Sequence, residues 1–238
     1  MIKKKKIVIT GGNGRFAQSL KKHKNKYQLF YPTKQELNIL KIKSIKNYLN
    51  KAKPNYLIHM AGMSRPMDSH DSQIVKSINL NIIGTANITQ ICSELNIKLI
   101  YFSTNYVYPG SEGNYKEGDP VKPFNNYAWS KLGGECSVQM YKNSLILRIC
   151  MTEFPFVHQA ALSDVYNSFL FHHEVASILF KILNKKGILN VGGKKQTIYD
   201  FAKESNPNVK KIYLKKIKNV KMPKDSSINI GKLRKLIN

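Results

Sequence analysis

The chain has 238 residues, 42% hydrophobic and 10% aromatic, with 39 Lys and Arg against 14 Asp and Glu and a formal net charge of +25. This composition fits a globular chain with a self-sufficient core, excludes a disulfide miniprotein, and holds no apolar run near the roughly 18 to 20 residues needed to span a bilayer. The charge invites a nucleic-acid reading, but the basic residues are almost all lysine. Arg15, Arg65, Arg148 and Arg234 are the exceptions, and the cations are scattered through every segment without aromatic interleaving, so we expect no specific nucleic-acid partner and no membrane partner.

Met1-Ile2 followed by Lys3 to Lys6 imitates the start of a signal peptide, yet the apolar stretch Ile7-Val8-Ile9 ends at Thr10-Gly11-Gly12, far short of a signal core. Cys92, Cys136 and Cys150 are odd in number and far apart, which fits reduced buried thiols and a cytoplasmic location. In chain order, Ile7 to Thr10 reads as a strand, Gly11 to Gly14 as a turn and Arg15 to Lys22 as a helix. Tyr27 to Tyr31 is a second strand, Ser44 to Lys51 a helix, and Tyr56 to Ala61 a third strand introduced by Pro54. Apolar residues at three- and four-residue steps predict one long helix over Ile74 to Leu95. Lys98 to Phe102 is a strand, Pro109 to Pro123 a loop, Asn126 to Tyr141 a helix and Leu145 to Ile149 a strand. Such alternation predicts an α/β Rossmann-type fold, a doubly wound and mostly parallel sheet with helices on both faces.

Beyond Arg148 the pattern changes. Glu153 to Asp164 shows no period, Glu174 to Leu183 reads as helix, Gly187 to Val191 as strand, Ile198 to Glu204 as a short helix and Ile228 to Ile237 as a closing helix. We therefore place a dinucleotide-binding domain at residues 1–150 and a small substrate lobe at 151–238, packed as one unit.

Gly11-x-x-Gly14-x-x-Ala17 sits where a strand turns into a helix. Small residues there let the backbone approach a pyrophosphate while the helix N-terminus offers free N–H groups. The second strand ends without an Asp or Glu to hold a ribose 2′-hydroxyl, and Thr33 and Lys34 follow; this favours NADP(H), with NAD(H) as the alternative. Tyr127-x-x-x-Lys131 places a phenol and an ammonium on one helix face, and a nearby cation favours the ionised phenol. Ser103-Thr104 ends a strand at the sheet edge where ligands bind in open α/β folds.

With these residues assembled, the chain resembles the extended short-chain dehydrogenase/reductases, and within them the dTDP-4-dehydrorhamnose reductase branch, which reduces nucleotide-linked 4-keto sugars. The likeness runs from Thr10-Gly11-Gly12-Asn13-Gly14 through Glu36-Leu37-Asn38-Ile39, Lys53 to His59, Asn81-x-x-Gly84-Thr85, Ser103 to Tyr108 and Tyr127 to Lys131, to Pro223-Lys224-Asp225-Ser226-Ser227. It implies that Thr104, Tyr127 and Lys131 are catalytic and that Asn81 structures the site behind Lys131. It further implies that Gly11, Gly14, Arg15 and Phe16 hold the pyrophosphate, that Ala61 and Gly62 line the cofactor, and that Ser64, Asn105 and Arg148 face the substrate.

The chain departs from this pattern at Asn105 and Asn38, each standing where the relatives usually have Asp, and in a substrate lobe shortened to roughly Cys150 to His173. The paired acids of a metal-linked dimer are absent from Ile228 to Asn238, so no metal is expected, although a homodimer remains compatible. The activity implied is an NADPH-dependent reduction of a nucleotide-bound 4-keto-6-deoxy sugar. A nucleotide-sugar epimerase and a non-catalytic cofactor-binding subunit are the alternatives. His172-His173 read as surface or cap residues, His59 as a satisfied core histidine and Cys150 as packing, while His158 is a secondary candidate for a substrate phosphate.

Overall fold

The computed structural model describes residues 4–217 and 222–237. Strands β1 (Lys6–Thr10), β2 (Gln28–Phe30), β3 (Tyr56–His59), β4 (Lys98–Thr104) and β5 (Ser144–Ile149) and the edge strand Gly187–Val191 form one sheet. Its order is edge strand, β5, β4, β3, β1, β2, and every pairing is parallel. The fold is therefore the expected Rossmann-like doubly wound α/β sheet, with the order of strands reversing between β1 and β3.

Alternation along the strands divides the core between the two faces. Ile7 and Ile9 join Leu20, Ile58, Leu147 and Leu179 on one side; Val8 joins Ile45, Leu57, Ile88 and Tyr101 on the other. Helix α1 (Arg15–Lys22) and helix His172–Ile182 cover the first face, and α2 (Ile42–Ala52) with helix Gly84–Glu94 covers the second. Burial on both faces explains why these strands read as continuous apolar runs.

Two expectations need correction. The lobe does not begin cleanly at residue 151: helix His172–Ile182 packs beside α1, and Gly187–Val191 pairs with β5 from Gly187↔Leu145 to Val191↔Ile149, completing the sheet. The lobe is built from the segments on either side of that return, around Phe156, Leu162, Val165, Phe171, Ile198 and Phe201. Its strands are two or three residues long, such as Ala160–Leu162 paired with Lys210–Ile212. Secondly, the long helix is interrupted. It runs as α-helix over Ile74–Ser77, as π-helix over Ile78–Ile83 and as α-helix again over Gly84–Glu94.

Among the described residues, no helix is long and apolar enough to cross a membrane. The closing helix spans Gly231–Ile237, and the preceding Ile228 instead bridges to Tyr115.

Candidate functional site

The turn after β1 brings backbone against backbone. Gly11 has φ +77°, and a Cβ there would lie 2.8 Å from the Ala61 amide nitrogen, so only glycine fits. Gly14 caps α1 with no side-chain hydrogen bond, and no acid occupies the helix's first turn. The helix thus presents unclaimed N–H groups and its positive dipole end, and Arg15 is its first residue. These features fit a dinucleotide pyrophosphate.

The turn is held from beneath by a chain of hydrogen bonds. Met60 and Ala61 N–H both donate to Thr10 Oγ1 at 3.2 Å, and Thr10 Oγ1 lies 2.8 Å from His59 Nδ1. His59 Nε2 lies 3.1 Å from Thr85 Oγ1, which donates to the Asn81 carbonyl at 2.8 Å. A Thr10 hydroxyl accepting twice donates its proton to Nδ1, so His59 is neutral, carries its proton on Nε2, and gives it to Thr85. Burial pushes its pKa down to about 3, with the Lys131 charge acting in the same direction. His59 is thus a satisfied core histidine.

Asn81 sits in the π-helical turn with every polar atom used. Its Oδ1 accepts the Met63 N–H at 2.7 Å, and its Nδ2 donates to the Met63 carbonyl and to Ser130 Oγ, both at 2.8 Å. Ser130 in turn donates to the Tyr127 carbonyl at 2.7 Å. Asn81 therefore fastens the loop after β3 to the first turn of helix Asn126–Gln139. A Cβ on Gly134 would lie 2.6 Å from the Asn81 carbonyl oxygen, which shows how closely that helix packs on the π-helical turn.

Helix Asn126–Gln139 starts at Asn125, whose side chain accepts the Ala128 N–H, and it delivers Tyr127 and Lys131 to the cleft at the carboxyl edge of β1, β3 and β4. Thr104, the last residue of β4, lines the same cleft. Burial raises the Tyr127 pKa, opposed by the Thr104 hydroxyl and the Arg65 charge; at neutral pH the phenol holds its proton. Lys131 is buried with its ammonium 4.2 Å from the centroid of the Tyr101 ring, and Tyr101 OH donates to the Lys131 carbonyl. Burial lowers the ammonium pKa to about 7, and Glu135 one turn onward opposes the shift. The His70 and Tyr127 rings pack edge to face with centroids 5.2 Å apart, and His70 Nδ1 lies 2.7 Å from Ser77 Oγ.

Of the remaining expected residues, Gly11, Gly14, Arg15, Phe16, Gly62, Ser64 and Asn105 all line this cleft, whose volume is about 250 Å³. Ala61 does not; its N–H is spent on Thr10. Lys34 is exposed and outside the lining, and beyond it Glu36 accepts the Thr33 N–H and hydroxyl. Asn38 turns its Oδ1 to the Leu40 N–H. Asn105 is buried, and its Nδ2 donates to Asn167 Oδ1 and the Ser226 carbonyl, both at 2.9 Å. A carboxylate could not make these donations, so the amide ties the end of β4 to the lobe while Asn105 also lines the cleft.

Arg148 requires outright correction. It points into the interior, where its Nε donates to Glu135 Oε1 at 3.1 Å and its Nη1 to Tyr108 OH at 2.9 Å. Its side chain is 4% exposed and that of Glu135 is fully buried. Arg148 is absent from the residues that line the cleft, and these contacts bind it into the interior. His158 is exposed and lies outside the lining. Buried Cys150 donates to Asn167 Oδ1, and burial pushes its thiol up. His172, expected as a surface or cap residue, is instead buried at the cleft wall against Phe16, with burial lowering its pKa to about 4.

Arg65 and Glu153 are cleft residues to which the sequence assigned no role. The one available signal was compositional: Arg65 is among four arginines in a chain whose cations are otherwise lysine.

This fold and cleft define a class of protein, a doubly wound α/β domain with a glycine-turn cradle and a Thr–Tyr–Lys constellation at the carboxyl edge of its sheet. Within that class, the chain belongs to the RmlD substrate-binding domain family, whose model matches residues 5–152. It is 28% identical to methionine adenosyltransferase 2 subunit beta of Xenopus laevis over 155 residues, 61% of this chain and 46% of that protein. It is 27% identical to dTDP-4-dehydrorhamnose reductase of Aggregatibacter actinomycetemcomitans over 152 residues, 62% of this chain and 51% of that protein. The chain thus spans about half the length of the curated relatives it matches. The crystal structure of dTDP-4-dehydrorhamnose reductase from Bacillus anthracis in complex with NADP superposes with a TM-score of 0.88 at 22% identity, covering 98% of this chain and 92% of that one.

Proposed function

We propose that the protein is an NADPH-dependent reductase of a nucleotide-linked 4-keto-6-deoxy sugar, a short-chain dehydrogenase/reductase acting on CH–OH groups. The observation that carries this reading is the convergence of Thr104, Tyr127 and Lys131 on the cleft that also contains the Gly11–Gly14 cradle. Gly11, Gly14, Arg15 and Phe16 would hold the dinucleotide, which when bound supplies hydride to the keto carbon. Thr104 orients the keto oxygen. Tyr127, neutral at working pH because burial raises its pKa, gives its phenolic proton to that oxygen. Lys131, in its protonated form, stabilises the phenolate left behind, and Arg65 lines the same cleft.

The NADP reading is supported by the missing acid after β2 and by the NADP complex of the B. anthracis structure. A panel of dTDP-, UDP- and GDP-linked 4-keto sugars assayed with NADPH and NADH tests the proposal, and steady NADPH consumption with one of them is the expected result. A second reading, a non-catalytic NADP-binding subunit, is favoured by the matches to methionine adenosyltransferase 2 subunit beta. Dinucleotide binding without turnover of any sugar in the panel would select it.

A further inference from the structure

Three cations and one carboxylate line the cleft: Arg15, Arg65, Lys131 and Glu153. Glu153, from the lobe, sits between the two arginines. Its Oε1 is 2.9 Å from Arg15 Nη1, its Oε2 is 3.2 Å from Arg65 Nη1, and Thr152 Oγ1 donates to Oε2 at 3.1 Å. Arg15 is the first residue of α1, just past the turn after β1, and Arg65 stands on the loop after β3, directly beyond Ser64, so the carboxylate joins these two segments at the switch point of the sheet.

The pairing is lopsided. Only Nη1 of each guanidinium touches Glu153, and among the described residues no hydrogen bond uses Nε or Nη2 of either arginine. The side chains of Arg15 and Arg65 remain 55% and 37% exposed, against 16% for Glu153. One carboxylate therefore orients two guanidiniums without neutralising them, leaving forked donors of the kind that bind phosphate oxygens in pairs.

Arg15 opens α1 directly after the glycine cradle, where a cofactor pyrophosphate would sit, whereas Arg65 stands on the loop after β3 beside Ser64 in the same cleft as Tyr127. We propose that Arg65 reads the diphosphate of the second ligand, a nucleoside diphosphate sugar, and that Glu153, which bridges both guanidiniums, competes with both diphosphates for them. The proposal rests on the reductase reading for the identity of the substrate, but not for the anion chemistry of Arg65.

The test is calorimetric titration of dTDP and of UDP into protein saturated with NADP⁺, alongside titration of NADP⁺ alone. Arg65→Gln should weaken nucleoside diphosphate binding by about 10- to 100-fold, the range for charge-assisted hydrogen bonds, and leave NADP⁺ affinity within about twofold. Arg65→Lys should fall between the parent and Arg65→Gln, since an ammonium keeps the charge and loses the fork. Glu153→Gln should tighten both ligands a few-fold, because a competing carboxylate touching both arginines is gone; a change in only one ligand would overturn the shared role of Glu153. Nucleoside diphosphate affinity unchanged in Arg65→Gln, an equal loss for NADP⁺, or no nucleoside diphosphate binding by the parent would each overturn the assignment to Arg65. If no keto sugar is turned over yet dTDP or UDP binding still depends on Arg65, the reductase reading falls and this inference stands.

Discussion

Replacing Arg148 separates a structural role from a substrate-binding one. The guanidinium touches Glu135, Tyr108 OH and the Glu117 carbonyl, and lies 4.9 Å from the centroid of the Tyr108 ring. In Arg148→Met, the fully buried Glu135 carboxylate would keep a single donor, Ser103 Oγ at 2.7 Å. Removing one partner of a buried pair costs about 3–5 kcal/mol because the other charge is stranded. That is a large part of the roughly 5–15 kcal/mol that holds a domain folded, and at about 2–4 °C per kcal/mol for this size it lowers Tm by roughly 6–20 °C. Glu135→Leu should destabilise in the same way, whereas the double variant Glu135→Leu/Arg148→Met should recover most of the loss, since an apolar replacement strands no charge. Urea denaturation of the four proteins, read beside NADP⁺ calorimetry and substrate KM, decides the matter. An Arg148→Met protein within about 1 kcal/mol of the parent, with KM for the sugar nucleotide raised tenfold or more, would refute the structural role and restore Arg148 to the substrate.

Tyr127→Phe should keep fold and cofactor affinity and lose about 10²- to 10⁴-fold in kcat, the usual contribution of general acid catalysis; unchanged turnover would remove Tyr127 from the chemistry. Lys131 has a folded pKa of about 7 against an unfolded value near 10.5, so between those values the unfolded chain binds more protons and stability rises with pH. Lys131→Met should flatten that rise and stabilise the protein at pH 6–7, which denaturation at pH 6, 8 and 9.5 will show. His59 and His172, held to about 3 and 4, make the parent lose stability as pH falls below about 6.5, and His59→Gln with His172→Gln should reduce that acid dependence in pH-jump unfolding. Raising salt should lower kcat/KM while changing kcat little, because diffuse lysines steer anionic ligands, and labelled oligonucleotides at about 0.15 M salt should give only weak, sequence-independent binding.

What could be read from the sequence followed range of interaction. Helix α1 falls on Arg15–Lys22 and the edge strand on Gly187–Val191 as expected, because β-branched runs, glycine turns and helical spacing are local signals. Strands of two or three residues in the lobe carry too few positions for an alternation to show, so Glu153 to Asp164 read as patternless. The edge strand itself was visible, but an apolar run does not say which sheet it joins, and the boundary near residue 150 was drawn through the parallel crossover that returns the chain to β5. The π-helical turn was invisible for a related reason: apolar residues continue through Ile78–Ile83 at spacings that an α-helix would also show, while the widened turn aims Asn81 at Met63 and Ser130.

The same distinction governs the site. Tyr127 and Lys131 are four residues apart on one helix, so their meeting was a local inference; Arg65 and Glu153 are 88 residues apart and meet only because the sheet order places the turn after β1 beside the loop after β3, with the lobe folded above both. Arg148 shows the converse. Its identity and strand were legible, but in a strand buried on both faces nothing local says which way a side chain points, and Glu135, thirteen residues upstream on a helix, turns it inward. A net charge of +25 therefore says little about what the protein binds, because steering by the lysine coat is common to every anion, whereas discrimination between two diphosphates needs a few charges fixed in register. That register is a property of topology, which is why the arginines that topology brings to one carboxylate are the residues whose replacement should separate cofactor from substrate.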